Sequence, residues 1–393
     1  MNKKKNPLES NLLQSLIASL ICILLGLLIG YIVLLAINPK GAGGAILAVV
    51  KNFLTYNKAS SRLKYFGNTL VKTAPLLLCA LSVQFAYTVG LFNIGAAGQY
   101  VAGTCACIYA ALAWQWSWLP CLLFAIAAGA LFGAAVGLLK AYCNVNEVIS
   151  GIMLNWISLY LVNMLLTNVK EPTSPYTMTL ASTNPGAIIP SFGLDKLFNN
   201  NSLVTIAIPL AVILALVVWV VLGKTRLGYE LRATGFNKDA AKYAGMNEKR
   251  NTILTLIIAG ALAGLGAAAL YLTGYEQWHC SQSSVPAMGF NGISAAFLGG
   301  LSPIGTIFAS FFIQHITMGG AYVDKSLYCS QVSDLISAFI IYLCGFTLFM
   351  KYVMNNVAAR REEKNAQTAK AKAAVESADT DESVKTVKGG DDV

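Results

Sequence analysis

The sequence predicts an all-α polytopic membrane protein with about ten transmembrane segments, and three observations lead to that prediction. Hydrophobic residues make up 56% of the 393 residues and charged residues only 12%, whereas roughly 25% of a soluble globular domain is charged. The apolar residues form long runs, and about 20 such residues in a helix cross about 30 Å of hydrocarbon. The 34 Gly suit helices that pack closely in a membrane. The composition therefore argues against a soluble enzyme.

Ten segments of the chain qualify as spans. Seven are long and apolar: 16–37, 67–90, 119–140, 146–167, 202–222, 251–273 and 331–352. Three are short or broken by Gly and Pro: 95–113, 288–300 and 303–320. The first span follows Lys3-Lys4-Lys5 and is too long for a typical signal peptide, so we expect it to be retained. An even number of spans places both termini on one side.

The positions of Lys and Arg predict that both termini are cytoplasmic, because cytoplasmic loops carry the excess of basic residues. We expect residues 1–66 to form the first span and an external amphipathic segment. This external part, 38–66, is basic and contains no acid, which is a local exception to the charge rule. Residues 67–352 form the core, which includes an inner loop at 223–250. Residues 353–393 have almost no large apolar side chain and are expected to be a disordered cytoplasmic tail.

The first region that indicates a mechanism is GLFNIGAAGQ at 90–99. Three Gly and two amides suit a continuous lipid-facing helix poorly, because Gly is a weak helix former and buried amides need partners. The pattern predicts a break at membrane depth, where irregular backbone must be packed in protein or line a cavity. The alternative is a cytoplasmic hairpin between two spans.

A second interrupted region lies in the other half of the chain, from Met288 to Pro303. Gly- and Pro-interrupted segments in both halves are a sequence sign of an internal repeat with a substrate site at its interface. Asn93 and Asn291 each follow a Phe. This Phe-Asn pair is the match by which we align the two halves of the chain.

The inner loop at 223–250 is predicted to contain a short amphipathic helix. Asn237 is a suitable N-cap, Asp239 and Lys242 have the signs that the helix dipole favours, and Gly245 supplies a stop. Such a helix can anchor on the membrane surface or dock into a cytoplasmic partner. The local sequence does not separate these two roles.

Other polar and small residues have simpler interpretations. Glu147 and Asn155 are eight positions apart and lie within about 80° of each other on a helix, so both can face one cavity. Glu147 is alternatively a partner of the helix dipole. Glycines at four-residue spacing are typical of helix-packing faces, and they are Gly26 and Gly30, Gly129, Gly133 and Gly137, and Gly260 and Gly264.

Several kinds of chemistry lack their motifs in this sequence. There is no G-x-x-x-x-G-K-[ST] loop, no G-x-S-x-G elbow, no H-E-x-x-H and no C-x-x-C. We expect no catalytic residue, no bound metal and no cofactor, so any ATP must be used by another subunit. Cys280 and Cys329 lie outside the predicted spans, where a disulfide and two free thiols are both reasonable.

These motifs together resemble the permease subunits of ATP-binding-cassette importers, in the group that includes ribose-type and branched-chain amino-acid permeases. The nucleoside branch is the most similar, because it has GLFNIGAEGQ where this chain has GLFNIGAAGQ, and NEVI as at 146–149. The segment LRATGFNKDAAKYAGMN at 231–247 is similar to the coupling helix of that family, and IAGALAG at 258–264 and GFNGISAAFLGG at 289–300 also match. The resemblance covers about 67–320. Ala97 replaces the family's acid.

The resemblance implies a nucleoside permease that works with a second permease, cytoplasmic ATPase subunits and an external binding lipoprotein. Amides and an aromatic ring suit recognition of a nucleoside, and the predicted lining residues are Phe92, Asn93, Gln99, Asn155 and Asn291. The predicted contacts with the ATPase are Arg232, Gly235, Ala240, Ala241, Tyr243 and Gly245. The alternatives are a sugar or amino-acid importer of the same class, and an ion-coupled secondary carrier. The scarcity of acids within the spans argues against the carrier.

Overall fold

The computed structural model describes residues 11–329, 331–346, 349–350, 352–357 and 360, and this part of the chain is helical. No strand occurs in these residues beyond two isolated bridges. The helices are α1 (Asn11–Ile37), α2 (Ala42–Lys51), α3 (Ala59–Thr88), α4 (Ala96–Leu112), α5 (Trp118–Cys143), α6 (Glu147–Leu166), α7 (Leu180–Thr183), α8 (Leu194–Leu197), α9 (Ala207–Lys224), α10 (Arg226–Phe236), α11 (Lys238–Tyr243), α12 (Glu248–Tyr271), α13 (Ala287–Leu298), α14 (Pro303–Gly319) and α15 (Val332–Cys344). The predicted all-α class is confirmed.

Within the described residues, seven helical segments are long and apolar enough to cross a membrane. They include six of the seven long spans predicted above, together with the segment at 303–322. α4 and α13 have only 17 and 12 residues, as the sequence predicted for short or broken spans. α15 covers the first part of the predicted span 331–352, and residues 347, 348 and 351 of that span lie outside the described residues.

The predicted boundaries differ from the structure at two places. The external segment 38–66 is not one element, because α3 has 30 residues and already begins at Ala59. Gly67 stands at the junction between 59–66 and the apolar run that follows, but it does not interrupt the helix, which continues through it. At the other end, residues 352–357 are helical, which extends regular structure into the predicted tail. The rest of that tail, 361–393, lies outside the described residues.

Glycine contacts hold the central helices together. A Cβ added at Gly133 would lie 2.0 Å from the carbonyl oxygen of Leu256, and one at Gly260 would lie 2.2 Å from that of Gly129. α5 and α12 therefore pack backbone against backbone. Gly26 and Gly30 of α1 lie against Ile340 and Ile336 of α15, where a Cβ would be 2.7 and 3.0 Å from the Cγ1 atoms of those side chains. The prediction that these glycines form packing faces is confirmed.

α3 runs between two opposite faces of the molecule. Its final residues lie beside α10, because a Cβ at Gly235 would be 2.5 Å from the carbonyl carbon of Val89. Near its other end, Asn52 donates to the carbonyl oxygen of His315 at 2.9 Å, so the end of α14 lies there. We call the first end the α10–α11 face and the second the opposite face. α13 is 12 residues long, about 18 Å, and with α14 forms a hairpin whose tip points to the α10–α11 face.

The glycine contacts yield a stability prediction. Gly133→Ala should lower the free energy of unfolding by about 1–3 kcal/mol, because the methyl group meets a backbone carbonyl that cannot turn away. Gly43→Ala is the matched control, since nothing lies within 4 Å of a Cβ there. It should be neutral or stabilising by up to about 1 kcal/mol, because Ala favours a helix. Thermal unfolding in detergent checks both variants. Equal midpoints would contradict close packing of α5 and α12.

Candidate functional site

The helix is interrupted at residues 89–95, between α3 and α4, as both a break at membrane depth and a hairpin between two spans require. Gly90 has a positive φ of +73°. Its N–H donates to the carbonyl of Tyr87 at 3.0 Å, and the N–H of Leu91 donates to that of Ala86 at 3.0 Å. This pair of bonds is the Schellman motif that ends a helix. We call residues 89–95 the first turn.

Two buried amides hold the first turn from inside. Asn93 and Gln99 are 2% and 1% exposed. The Nδ2 of Asn93 donates to Gln99 Oε1 at 2.9 Å and to Ser82 Oγ at 3.0 Å, and Gln99 Nε2 donates to Asn93 Oδ1 at 3.2 Å. The amides therefore satisfy each other across the turn.

Asn155 of α6 holds the first turn from the other side. Its Oδ1 accepts from the backbone N–H of Gly98 at 2.7 Å, and its Nδ2 donates to the carbonyl of Ile94 at 3.1 Å. Gly151 allows the approach, because a Cβ there would lie 3.0 Å from the nitrogen of Gly95. One side chain thus satisfies a donor and an acceptor that the break frees. Three of the five amide and aromatic residues predicted to line a pathway are engaged in holding the turn.

The other two predicted lining residues are separate from this amide cluster. Phe92 is half-buried in the first turn, and Asn291 is half-buried in α13. Within the interrupted region predicted from Met288 to Pro303, residues 288–298 belong to the continuous helix α13, and the irregular residues follow it. Ala97, which stands in place of the family's acid, is 1% exposed. Its backbone lies against Gly289, where a Cβ would be 2.4 Å from the Ala97 Cα.

The second break lies at residues 299–302, between α13 and α14, and repeats the design of the first. Gly300 has a φ of +65°. The N–H of Gly300 donates to Phe297 at 2.9 Å and that of Leu301 to Ala296 at 3.0 Å. The matching sequence is G-L-x-x-I-G, at 90–95 and again at 300–305. We call residues 299–302 the second turn.

This match corrects the register predicted for the internal repeat. The sequence comparison aligned Asn93 with Asn291, whereas the turns align Asn93 with Pro303. Pro303 is the first residue of α14, where proline is favoured. In this alignment α14 begins three positions earlier than α4 does. The second turn is therefore shorter than the first. Asn93 and Asn291 are not equivalent in the structure.

The two turns contact each other through residues that the sequence analysis missed. Gln84, one turn before the end of α3, donates through Nε2 to the carbonyl of Leu301 at 2.8 Å and accepts from Thr306 Oγ1 at 3.0 Å. The rings of Tyr87 and Phe297 meet edge to face with centroids 5.3 Å apart. Both turns therefore lie side by side near the α10–α11 face.

The loop at 223–250 forms two helices. α11 has the predicted signals: Asn237 Oδ1 accepts from the N–H of Ala240 at 3.0 Å, and Gly245 ends the helix with a φ of +81°. α10 precedes it, and Arg232 and Gly235 belong to α10. Gly235 packs against the first turn, so α10 contacts the break directly.

The remaining residues of this segment differ in exposure. The aromatic rings of Phe236 and Tyr243 are 95% and 93% exposed. Ala240 and Arg232 are also exposed, whereas Ala241 is 4% exposed and holds α11 against the protein. Two highly exposed aromatic rings on this segment are compatible with both roles predicted for it, docking into a partner and anchoring at the membrane surface.

Two further predictions have clear outcomes, those for Glu147 and for the two cysteines. Glu147 is the first residue of α6 and forms an ion pair with Lys140 at 2.8 Å, so it pairs with a base as well as with the helix dipole. Cys280 and Cys329 are both free thiols. No group of three or more His, Cys, Asp or Glu in the described part of the chain has the geometry to hold a metal ion.

The opposite face carries a cavity with polar and apolar lining residues that the sequence did not predict. Its volume is about 180 Å³, and Tyr271, Tyr275, Glu276 and Gln277 line one side. Glu276 Oε1 is 2.7 Å from the Nζ of Lys72 in α3, and that ammonium group lies 5.2 Å from the centre of the Tyr275 ring. The partner of Lys72 is 204 residues away, which no local pattern reveals.

The chain is similar in sequence to known transporter permease proteins. The chain is 32% identical to the guanosine ABC transporter permease protein NupP of Bacillus subtilis, over 83% of this chain and 96% of NupP. It is 34% identical to the nucleoside ABC transporter permease protein NupB of Lactococcus lactis, over 73% of this chain and 81% of NupB. It is 30% identical to the glucose ABC transporter permease protein TsgB13 of Haloferax volcanii, over 77% of this chain and 82% of TsgB13.

No solved structure is significantly similar to the chain. Residues 65–345 match the family model for the permease component of the branched-chain amino acid transport system. That range contains both turns, the amide cluster and the α10–α11 segment. The chain therefore belongs to this family of transport-system permease components.

Proposed function

We infer that the chain is the permease subunit of an ATP-driven nucleoside importer. The observation that carries this proposal is the similarity to NupP over 83% of this chain and 96% of NupP. A sugar importer is the second candidate, because TsgB13 is named as a glucose permease. In both cases the chain supplies the passage through the membrane, and a partner subunit uses the ATP.

The α10–α11 face is proposed to be cytoplasmic, with both termini on that side. The support is the charge of this segment: residues 224–250 carry seven Lys and Arg and three acids, and basic residues favour the cytoplasmic side. The ATPase subunits act there. A second permease and an external binding lipoprotein complete the assembly that the resemblance implies.

Coupling to the ATPase is proposed to run through α11 and α10. The exposed rings of Phe236 and Tyr243 enter a groove of the ATPase subunit, because buried aromatic side chains anchor protein interfaces. Movement of α10 then reaches the first turn through the Gly235–Val89 contact. The backbone of Gly235 contacts the backbone of Val89 directly. A displacement of α10 therefore moves the first turn, because no flexible side chain lies between them.

The pathway is proposed to pass along the first turn. Phe92 offers a ring on which a base can stack, and Asn291 offers an amide. Asn93, Gln99 and Asn155 contribute by exchanging their present bonds when the turn moves, so that their donors and acceptors meet the substrate. Such exchange keeps the buried polar groups satisfied in each state.

The contact between α10 and the first turn predicts the effect of one methyl group. Gly235→Ala should reduce uptake per ATP hydrolysed by about ten-fold, because its Cβ would displace α10 from Val89. Gly223→Ala is the matched control, since its Cβ meets nothing within 4 Å. Uptake and ATP hydrolysis are measured together in proteoliposomes. An assembled Gly235→Ala transporter with normal coupling would rule out this route.

The amide cluster predicts a second effect. Asn155→Ala should slow uptake by about ten-fold or more while ATP hydrolysis continues, because Gly98 N–H and Ile94 C=O lose their partner, at a cost of about 1–3 kcal/mol each. Asn163→Ala is a control on the same helix that contacts the opposite face instead. If Asn155→Ala and Asn93→Ala both transported at the normal rate, the pathway would lie elsewhere.

The substrate prediction is tested by competition. Uptake of labelled guanosine should require ATP and should be inhibited by excess unlabelled nucleosides. Excess ribose, glucose or leucine should have no effect, because they lack the stacking face of a base. Inhibition by glucose would favour the sugar importer. Uptake that survives ATP depletion but stops when the ion gradient collapses would identify a secondary carrier.

A further inference from the structure

A basic groove lies between α5 and α12 where both helices reach the α10–α11 face. Its volume is about 310 Å³, and it is lined by Tyr142, Asn247, Lys249, Arg250, Ile253 and Leu254. We call it the α5–α12 groove. None of the functions assigned above uses these residues.

The groove combines two cations with an apolar floor. Lys249 and Arg250 are exposed, and no carboxylate among the described residues forms a salt bridge with either of them. The Lys249 ammonium group lies 4.9 Å from the centre of the Tyr142 ring. Ile253 and Leu254, one turn further into α12, are half-buried. The charged end of the groove therefore lies at the N-terminal end of α12. Its apolar end lies one turn further along the same helix.

A smaller cavity of about 150 Å³ adjoins the groove and shares Lys249. It also contains Lys140, Lys238 and Glu248, and Lys140 is already paired with Glu147. Lys140 of this cavity is thus neutralised by a carboxylate, and Glu248 adds a further negative charge. The excess positive charge is concentrated at Lys249 and Arg250, in the groove.

We propose that the α5–α12 groove binds the headgroup of an anionic phospholipid. Basic pockets between transmembrane helices recognise lipid phosphates, and a guanidinium group can bind two phosphate oxygens at once. Tyr142 has the chemistry of side chains at the membrane interface, and Ile253 and Leu254 face the start of an acyl chain. Free phosphate would use the cations alone and would leave the apolar floor without a partner.

The position of the groove links the lipid to the coupling segment. Asn251, next to Arg250, donates through Nδ2 to Thr234 Oγ1 of α10 at 2.8 Å. Below the groove, a Cβ at Gly137 would lie 3.0 Å from the Cα of Ile253, so α5 and α12 are closely packed there. A lipid bound at Lys249 and Arg250 stabilises the end of α12 to which α10 is bonded.

The test measures lipid binding to the assembled transporter. The complete complex, delipidated in detergent, is titrated with phosphatidylglycerol and, separately, with phosphatidylcholine, and bound lipid is counted by native mass spectrometry. The wild type should prefer phosphatidylglycerol. The double variant Lys249→Gln/Arg250→Gln should bind phosphatidylglycerol about thirty-fold more weakly, because each base contributes about 1 kcal/mol and 1.4 kcal/mol is ten-fold.

Controls separate the groove from general charge and from other ligands. Lys224→Gln removes an exposed base from the end of α9 and should leave binding unchanged, and Lys249→Arg/Arg250→Lys should retain it. Equal losses in the Lys224 and groove variants would overturn the proposal. So would displacement of the lipid by inorganic phosphate at similar concentration, or lipid binding that occurs only after the ATPase subunits are removed.

Discussion

A helix that stops inside a membrane protein leaves backbone N–H and C=O groups that only the protein can satisfy. In this chain the first turn depends on Asn155, whose one side chain bonds to Gly98 N–H and Ile94 C=O. Since Asn155 belongs to α6, these two bonds hold α6 against the first turn and the start of α4. Asn93 and Gln99 bond to each other in the same buried space.

Glycine contacts set the distances between the elements that surround the first turn. Gly235 brings the backbone of α10 against Val89, and Gly289 brings α13 against Ala97. The second turn then lies beside the first, joined through Gln84 and by the Tyr87–Phe297 ring contact. In the proposed coupling route, an ATPase that moves α10 would act on a small region that contains both breaks and the buried amides Gln84, Asn93, Gln99 and Asn155.

The features that the sequence predicted well are those with local causes. The ends of α11 follow from Asn237 and Gly245, and the close packing of α5 on α12 follows from glycines at four-residue spacing. Most helices lie within a few residues of the predicted spans, because apolar length is a local property. The start of α3 was missed because polar residues at 59–66 extend the helix beyond its apolar part.

The features that the sequence did not predict depend on distant partners. Asn155 bonds to a residue 61 positions away, and Lys72 pairs with Glu276 across the core. The amides were expected to face a cavity, whereas Asn93 and Gln99 bond to each other and Asn155 bonds to backbone groups freed by the break. The repeat was placed in the wrong register because a Phe-Asn pair was matched instead of G-L-x-x-I-G, which is visible in the sequence but short.

Hydrogen exchange of the assembled transporter tests most directly whether the ATPase acts on the first turn. Peptides that cover 89–99 should change their exchange rate when a non-hydrolysable ATP analogue binds the ATPase subunits, since the bonds of Gly98 N–H and Leu91 N–H must rearrange. In Gly235→Ala this change should be lost while the analogue still binds. Identical exchange across 89–99 with and without the analogue in the wild type would contradict the central claim that α10 moves this turn.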